Sequence, residues 1–178
     1  MSNLIIPRNL LKELVSHCRR ELPREACGLL AGKGRRVTMV MPMPNVASDP
    51  KNHYVVEGVA QQHAFRIMEE KGLDFVGVYH SHPRGAAVPS LTDIRQSIGN
   101  DVIHVIVSLR WKEAVIKAYR LFRDSDRYLR VNIDVTGSKG ASRFRTSGTR
   151  NLRAFRAGDT LDADQWRDWR VWTSGGSY

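Results

Sequence analysis

Phe75-Val76-Gly77-Val78-Tyr79-His80-Ser81-His82-Pro83 is the stretch on which the reading of the whole chain turns. Residues 75–82 form a nearly continuous apolar run that ends in two histidines and a proline. Such a run predicts a central strand covered on both faces. A strand sends residues i and i+2 to the same face. His80 and His82 should therefore extend the Val76/Val78 row and direct two imidazoles at one point. Pro83 ends the strand, so the pair should stand at the carboxyl edge of the sheet, where a loop can complete a site.

Upstream, residues 9–22 place Leu11, Leu14, Val15, Cys18 and Leu22 on one helical face, with Asn9 as cap and Pro23 as stop. Residues 26–31 and 37–41 read as strands, residues 41–52 as a proline-punctuated loop, and residues 57–71 as a helix closed by Gly72. Downstream come a loop over 83–89, a short helix over 90–98, and strands over 103–109, 114–122 and 128–135. The pattern predicts a mixed sheet flanked by helices, an α+β domain with three αβα-like layers.

The chain has 178 residues, which suits one domain plus an appendage. With 42% hydrophobic and 26% charged residues the balance is globular. No apolar run approaches the ~20 residues of a membrane span, and residues 1–14 lack the pattern of a secretory signal. Two cysteines, Cys18 and Cys27, are too few for a disulfide framework or an all-cysteine zinc site. The expectation is a cytoplasmic protein without membrane contact.

After Val135 the composition turns to Gly, Ser, Thr and Arg, so the domain is placed at 1–135 and a flexible basic tail at 136–178. That tail carries eight Lys/Arg against four Asp, within a chain of net charge +10. Lys139 to Arg156 holds six basic residues and no acid, which would suit nucleic acid. A solvated tail is the preferred reading, because no nucleic-acid motif accompanies the charge. Trp166, Trp169 and Trp172 recur at intervals of three behind an Asp162 cap, and suggest a short helix over 162–172 that forms by docking.

Eleven residues after His82 comes Asp93, in the first turn of the next helix. Two imidazoles, one carboxylate and an open fourth position match a catalytic zinc site. The same N/O set suits iron and other first-row metals. Ser90-Leu91-Thr92-Asp93 is equally a capping box, which by itself would account for both Ser90 and Asp93. Glu25, read alone, is a surface glutamate. Cys27 is a small buried hydrophobe rather than a nucleophile. His17, His53, His63 and His104 lack ligand spacing and are read as structural, and Tyr79 and Trp111 as core or rim aromatics.

His80-Ser81-His82-Pro83 followed by Ser90 and Asp93 resembles the signature of the JAMM (MPN-plus) metalloproteases. Pro23-Arg24-Glu25-Ala26-Cys27-Gly28-Leu29-Leu30 is similar to that family's glutamate segment, and His53-Tyr54-Val55-Val56 and residues 105–109 extend the likeness over roughly residues 5–135. The resemblance implies an MPN-type, cytidine deaminase-like domain. It assigns zinc to His80, His82 and Asp93, the general base to Glu25, and transition-state support to Ser90. It further implies a metallopeptidase or isopeptidase of compact prokaryotic type. Its substrate would be a ubiquitin-like or sulfur-carrier protein joined through a C-terminal Gly-Gly. The alternative is a non-catalytic MPN scaffold, with nucleic-acid contact through the tail. Residues 84–88, Arg-Gly-Ala-Ala-Val, depart from the pattern in the loop between the ligands and bear on substrate preference.

Overall fold

A computed structural model describes residues 3–137 and 144–146. The expected tryptophan helix over 162–172 and most of the basic run lie outside the described residues.

Strand β1 (Leu4–Pro7) leads directly into α1 (Arg8–Arg20), with Pro7 rather than Asn9 at the N-cap position. The helix buries Leu11, Leu14, Val15 and Cys18, as their spacing demands. Leu22, expected on that face, lies beyond the helix end and is exposed. An antiparallel pair follows, β2 (Cys27–Lys33) and β3 (Arg36–Met43). Helix α2 (Gly58–Glu70) starts at Glu57, whose carboxylate accepts from the N–H groups of Val59 and Ala60. Then come β4 (Asp74–His82), the five-residue α3 (Leu91–Arg95), β5 (Ile103–Ser108) and β6 (Ala114–Phe122).

The strand expected over 128–135 is in fact two, β7 (Arg127–Val131) and β8 (Ile133–Thr136), parted only by Asn132. They lie at opposite ends of the strand order β7-β6-β5-β4-β2-β3-β1-β8. Consecutive strands can sit at both ends of a sheet only if the sheet curls round so that its ends meet. Asn132 marks the junction, and its carbonyl accepts from the Leu4 N–H at 2.8 Å. A short strand, β9 (Phe144–Thr146), pairs parallel with β6, within the segment 136–178 that composition assigns to a flexible tail.

Layering follows from which residues each face buries. One face packs α1 residues Leu11, Leu14, Val15 and Cys18 against Leu30, Tyr79, Val105, Val107 and Ile116. The other face packs α2, through Ala64 and Met68, against Cys27, Leu29 and Val78. Beside it, Ile94 of α3 joins Ala87, Ile106, Tyr119 and Leu121. The fold is thus the expected α+β arrangement of helices on both faces of a mixed sheet. Cys27 is fully buried and its thiol is pushed up to about 12 by burial, which makes it a packing residue. No helix among the described residues is long and apolar enough to cross a membrane.

Strand β4 lies in the middle, antiparallel to β2 and parallel to β5. Simple alternation would put Val76 in one row with Val78, and the structure corrects this. The β2–β4 register passes from Leu30↔Gly77 to Ala31↔Phe75, leaving Val76 as a bulge that turns to the α1 side. The row that ends in His80 and His82 therefore begins at Val78, on the α2 side.

Gly77 sets the spacing between β4 and β5, since a Cβ there would collide with the Ile103 carbonyl oxygen. Gly77→Ala should destabilise the domain by about 1–3 kcal/mol through forced separation of these strands. Urea denaturation of the two proteins checks this; an unchanged midpoint would mean that the strands are not so tightly spaced.

Candidate metal centre

The two histidines leave the end of β4 together. His80 is fully buried and the His82 side chain is 12% exposed, and their Nε2 atoms stand 3.0 Å apart. Asp93 completes the group: Oδ1 lies 3.4 Å from His80 Nε2 and Oδ2 lies 3.5 Å from His82 Nε2. Among the described residues these three form the one cluster of His, Cys, Asp or Glu able to hold a metal ion. With zinc–nitrogen distances of about 2.0–2.1 Å, tetrahedral ligand atoms stand about 3.3–3.4 Å from one another. The observed separations are close to that, and the donor chemistry suits the ion, so the residues fit zinc.

Each arm is held by a separate device. The His82 Nδ1 lies 2.7 Å from the Ala86 carbonyl, which can only accept. Nδ1 therefore carries the proton, and Nε2 of neutral His82 presents its lone pair to the centre. Tyr54 stacks on His80 with ring centroids 4.5 Å apart and 22° between planes, fixing that imidazole's tilt. The loop beyond His82 is pinned at three consecutive carbonyls. Ser108 Oγ donates to Gly85 at 2.6 Å, His82 Nδ1 to Ala86, and the Tyr119 hydroxyl to Ala87 at 2.6 Å.

Asp93 is placed by the capping box foreseen in the sequence. Ser90 Oγ accepts from the Asp93 N–H at 3.1 Å, and Asp93 Oδ2 accepts from the Ser90 N–H at 2.6 Å. Cap and candidate ligand are thus one residue, because each carboxylate oxygen has more than one lone pair. The Ser90 hydroxyl accepts in the cap, and its side chain also hydrogen-bonds the Asp93 carboxylate.

Glu25 arrives from the neighbouring strand. Cys27 pairs with His80, the Ser81 N–H donates to the Ala26 carbonyl at 2.9 Å, and Ser81 Oγ accepts from the Ala26 N–H at 2.8 Å. Continuing this antiparallel register by one step sets Glu25 opposite His82. Its backbone is clamped by the 44–56 loop: the Glu25 N–H donates to the Pro50 carbonyl at 2.7 Å, and Asn45 Nδ2 donates to the Glu25 carbonyl at 2.9 Å. Asn45 also donates to the His53 carbonyl and accepts from the Ala47 and Val55 N–H groups through Oδ1. Asn45 and Tyr54 escaped the sequence reading of site roles. The signal available was Asn45 within a Pro-x-Pro-Asn loop and Tyr54 within the His53-Tyr54-Val55-Val56 stretch.

The electrostatics are those of charges crowded away from water. Burial raises the Asp93 carboxyl, but hydrogen bonds from His80, His82 and Ser90 and the imidazole charges outweigh it, holding the group well below the usual range. Burial pushes His80 down. It does the same to His82, where the hydrogen bond to Asp93 and the Ala86 contact prevail and leave that group raised. Burial pushes Glu25 up to about 7, His82 opposing and Asp93 and Asp49 reinforcing the shift. A carboxylate poised near neutrality is what proton transfer requires. His17, read as structural, pairs its Nδ1 with the Tyr79 hydroxyl at 2.9 Å on the other side of the sheet.

Residues 7–122 match the family described as prokaryotic homologs of the JAB domain. The chain is 43% identical over 94 residues to the probable TtuB-protein conjugate cleaving protease of Thermus thermophilus, over 53% of this chain and 63% of that protein. It therefore spans just under two thirds of that relative's length. It is 37% identical over 109 residues to the CysO-cysteine peptidase of Mycobacterium tuberculosis, over 60% of this chain and 74% of that one. A solution structure of a Desulfitobacterium hafniense protein superposes with a TM-score of 0.69 at 29% identity, covering 75% of this chain and 93% of the other.

Ser90→Ala removes the side-chain acceptor of the α3 cap and should cost about 1 kcal/mol of stability. Chemical denaturation of the metal-free protein measures this directly. A loss below a few tenths of a kcal/mol would mean that the cap does not hold α3.

Proposed function

The chain belongs to the prokaryotic homologs of the JAB domain, and from that membership we propose that it is a zinc-dependent isopeptidase. Its substrate is a ubiquitin-like or sulfur-carrier protein joined to an amine through a C-terminal Gly-Gly. One observation carries the reading: a buried carboxylate that is not part of the ligand cluster, Glu25, lies two residues before the Cys27↔His80 pair and interacts electrostatically with His82 and Asp93. A protein-binding scaffold has no use for such a group, and burying it costs stability.

His80 and His82 would hold the ion through Nε2, and Asp93 through its carboxylate. Zinc, when bound, supplies Lewis acidity that makes water a nucleophile near neutral pH. Glu25 takes the proton from the attacking water as the new C–O bond forms. It then delivers that proton to the nitrogen as the C–N bond breaks, so the amine leaves neutral and the carrier is released as its carboxylic acid, which gives its proton to bulk water. The Ser90 O–H would turn from the Asp93 carboxylate to donate to the oxygen that gains charge as the carbonyl becomes tetrahedral.

A Gly-Gly tail suits a site at the end of a strand, since residues without Cβ can lie flat along its edge. The names of the relatives support the same class: one is a protease for TtuB–protein conjugates, another a CysO-cysteine peptidase. Arg84, Gly85, Ala86 and Val88 are exposed on the pinned loop and bear on which carrier is accepted. Cytoplasmic action on such a soluble carrier belongs to the same proposal.

Metal analysis of the purified chain, paired with a panel of Gly-Gly-linked conjugates, tests the proposal. We expect one zinc per chain and chelator-sensitive release of the amine. His82→Ala should lose most of the metal and remain folded; full metal retention would refute the ligand assignment. Glu25→Gln should retain zinc and lose ~10²–10⁴ in rate, because Gln keeps the size and cannot take the proton. Near-normal turnover in that variant would remove Glu25 from the mechanism.

A further inference from the structure

His104 stands apart from the other buried polar groups. It is 1% exposed, and neither ring nitrogen has a hydrogen-bond partner among the described residues. The His80 Nδ1 is also buried without a partner among the described residues. Buried polar groups are ordinarily satisfied, and three such atoms on two adjacent strands are unusual.

The two rings share one face of the sheet. The parallel β4–β5 register sets Val78 beside His104 and His80 beside Ile106. Residues opposed in a parallel pair project to the same side, so His104 and His80 occupy neighbouring rows on the α2 side, offset by one step along the face. Their needs are complementary. To ligate through Nε2, His80 must carry its proton on Nδ1, and that N–H requires an acceptor. Neutral His104 has one bare nitrogen that can accept, directly or through a water. Burial pushes His104 down to about 3, so the bare nitrogen persists at neutral pH.

We propose that His104 is a positioning residue for the metal centre, tied to the His80 Nδ1–H through one buried water. The water accepts from His80 Nδ1–H and donates to the bare nitrogen of His104. This holds His80 in the tautomer whose Nε2 lone pair faces the centre. Such outer partners characteristically govern metal affinity. The inference rests on the metal centre of the proposed function and not on the identity of its substrate.

The test is zinc affinity of the full chain, read by competition with a chromophoric chelator, beside thermal unfolding of the metal-free protein. His104→Phe keeps the bulk and removes the polar partner. It should unfold at the same or a higher temperature while binding zinc about 10–100-fold more weakly. His104→Gln, which restores an acceptor, should recover most of the loss. A purely structural His104 would give wild-type zinc affinity in His104→Phe, and that result would overturn the inference. Where His104→Phe fails to fold, imidazole ¹⁵N–¹H spectra of the zinc-loaded wild type decide. Cross-relaxation between the His80 Nδ1–H and a bound water supports the link, and its absence overturns it. Zinc-loaded wild type that cleaves none of the Gly-Gly conjugates would sink the isopeptidase reading alone, whereas wild type that binds no zinc would overturn both.

Discussion

Two imidazole nitrogens 3.0 Å apart, one of them on a side chain with no solvent exposure, are the constraint around which this fold is arranged. Two bare lone pairs do not approach so closely inside a protein unless something positive or a shared proton sits between them. The sheet enforces the approach. His80 and His82 sit two residues apart on β4, and the strand is fixed by ladders to β2 on one side and β5 on the other. Gly28 and Gly77, where any Cβ would strike Tyr79 or the Ile103 carbonyl, let the neighbouring strands and the Tyr79 ring close tightly around it. The site inherits its rigidity from the middle of the core.

The remaining groups reach this point from short elements that could not hold themselves. Helix α3 has five residues, far below the length at which a helix is stable alone. It persists because Ile94 is buried under the sheet, the capping box ties its start, and Arg95 pairs with Asp126 at 2.8 Å. Asp93 is therefore both the reason the helix starts where it does and the third arm of the cluster. Glu25 likewise has no helix or strand of its own; it is carried by the run-in to β2 and clamped by Asn45 and Pro50.

Much of this was legible in the sequence because it depends on local rules. The alternation of β4 from Val78 to His82, the Ser90–Asp93 box and the Leu11, Leu14, Val15 and Cys18 face of α1 are all short-range patterns, and each appears where the spacing placed it. What escaped depends on partners distant in the chain. The division of residues 128–135 into β7 and β8 follows from closure of the sheet at Asn132, which no local period announces. Strand β1 is four residues long and merges into the following helix, and Val76 turns to the opposite face through a bulge set by pairing with β2. Asn45 looked like a loop residue and Tyr54 only like part of the family-like 53–56 stretch, since their roles are bonds to Glu25 and stacking on His80 across the fold. His104 was read as a structural histidine, and its unpartnered ring nitrogens show only once burial is known.

X-ray absorption of the zinc-loaded chain tests the central claim most directly. The account predicts four nitrogen or oxygen neighbours at about 2.0–2.1 Å, with outer-shell scattering from two imidazoles and no sulfur. A first shell containing sulfur at about 2.3 Å, or one with the scattering of fewer than two imidazoles, would contradict it.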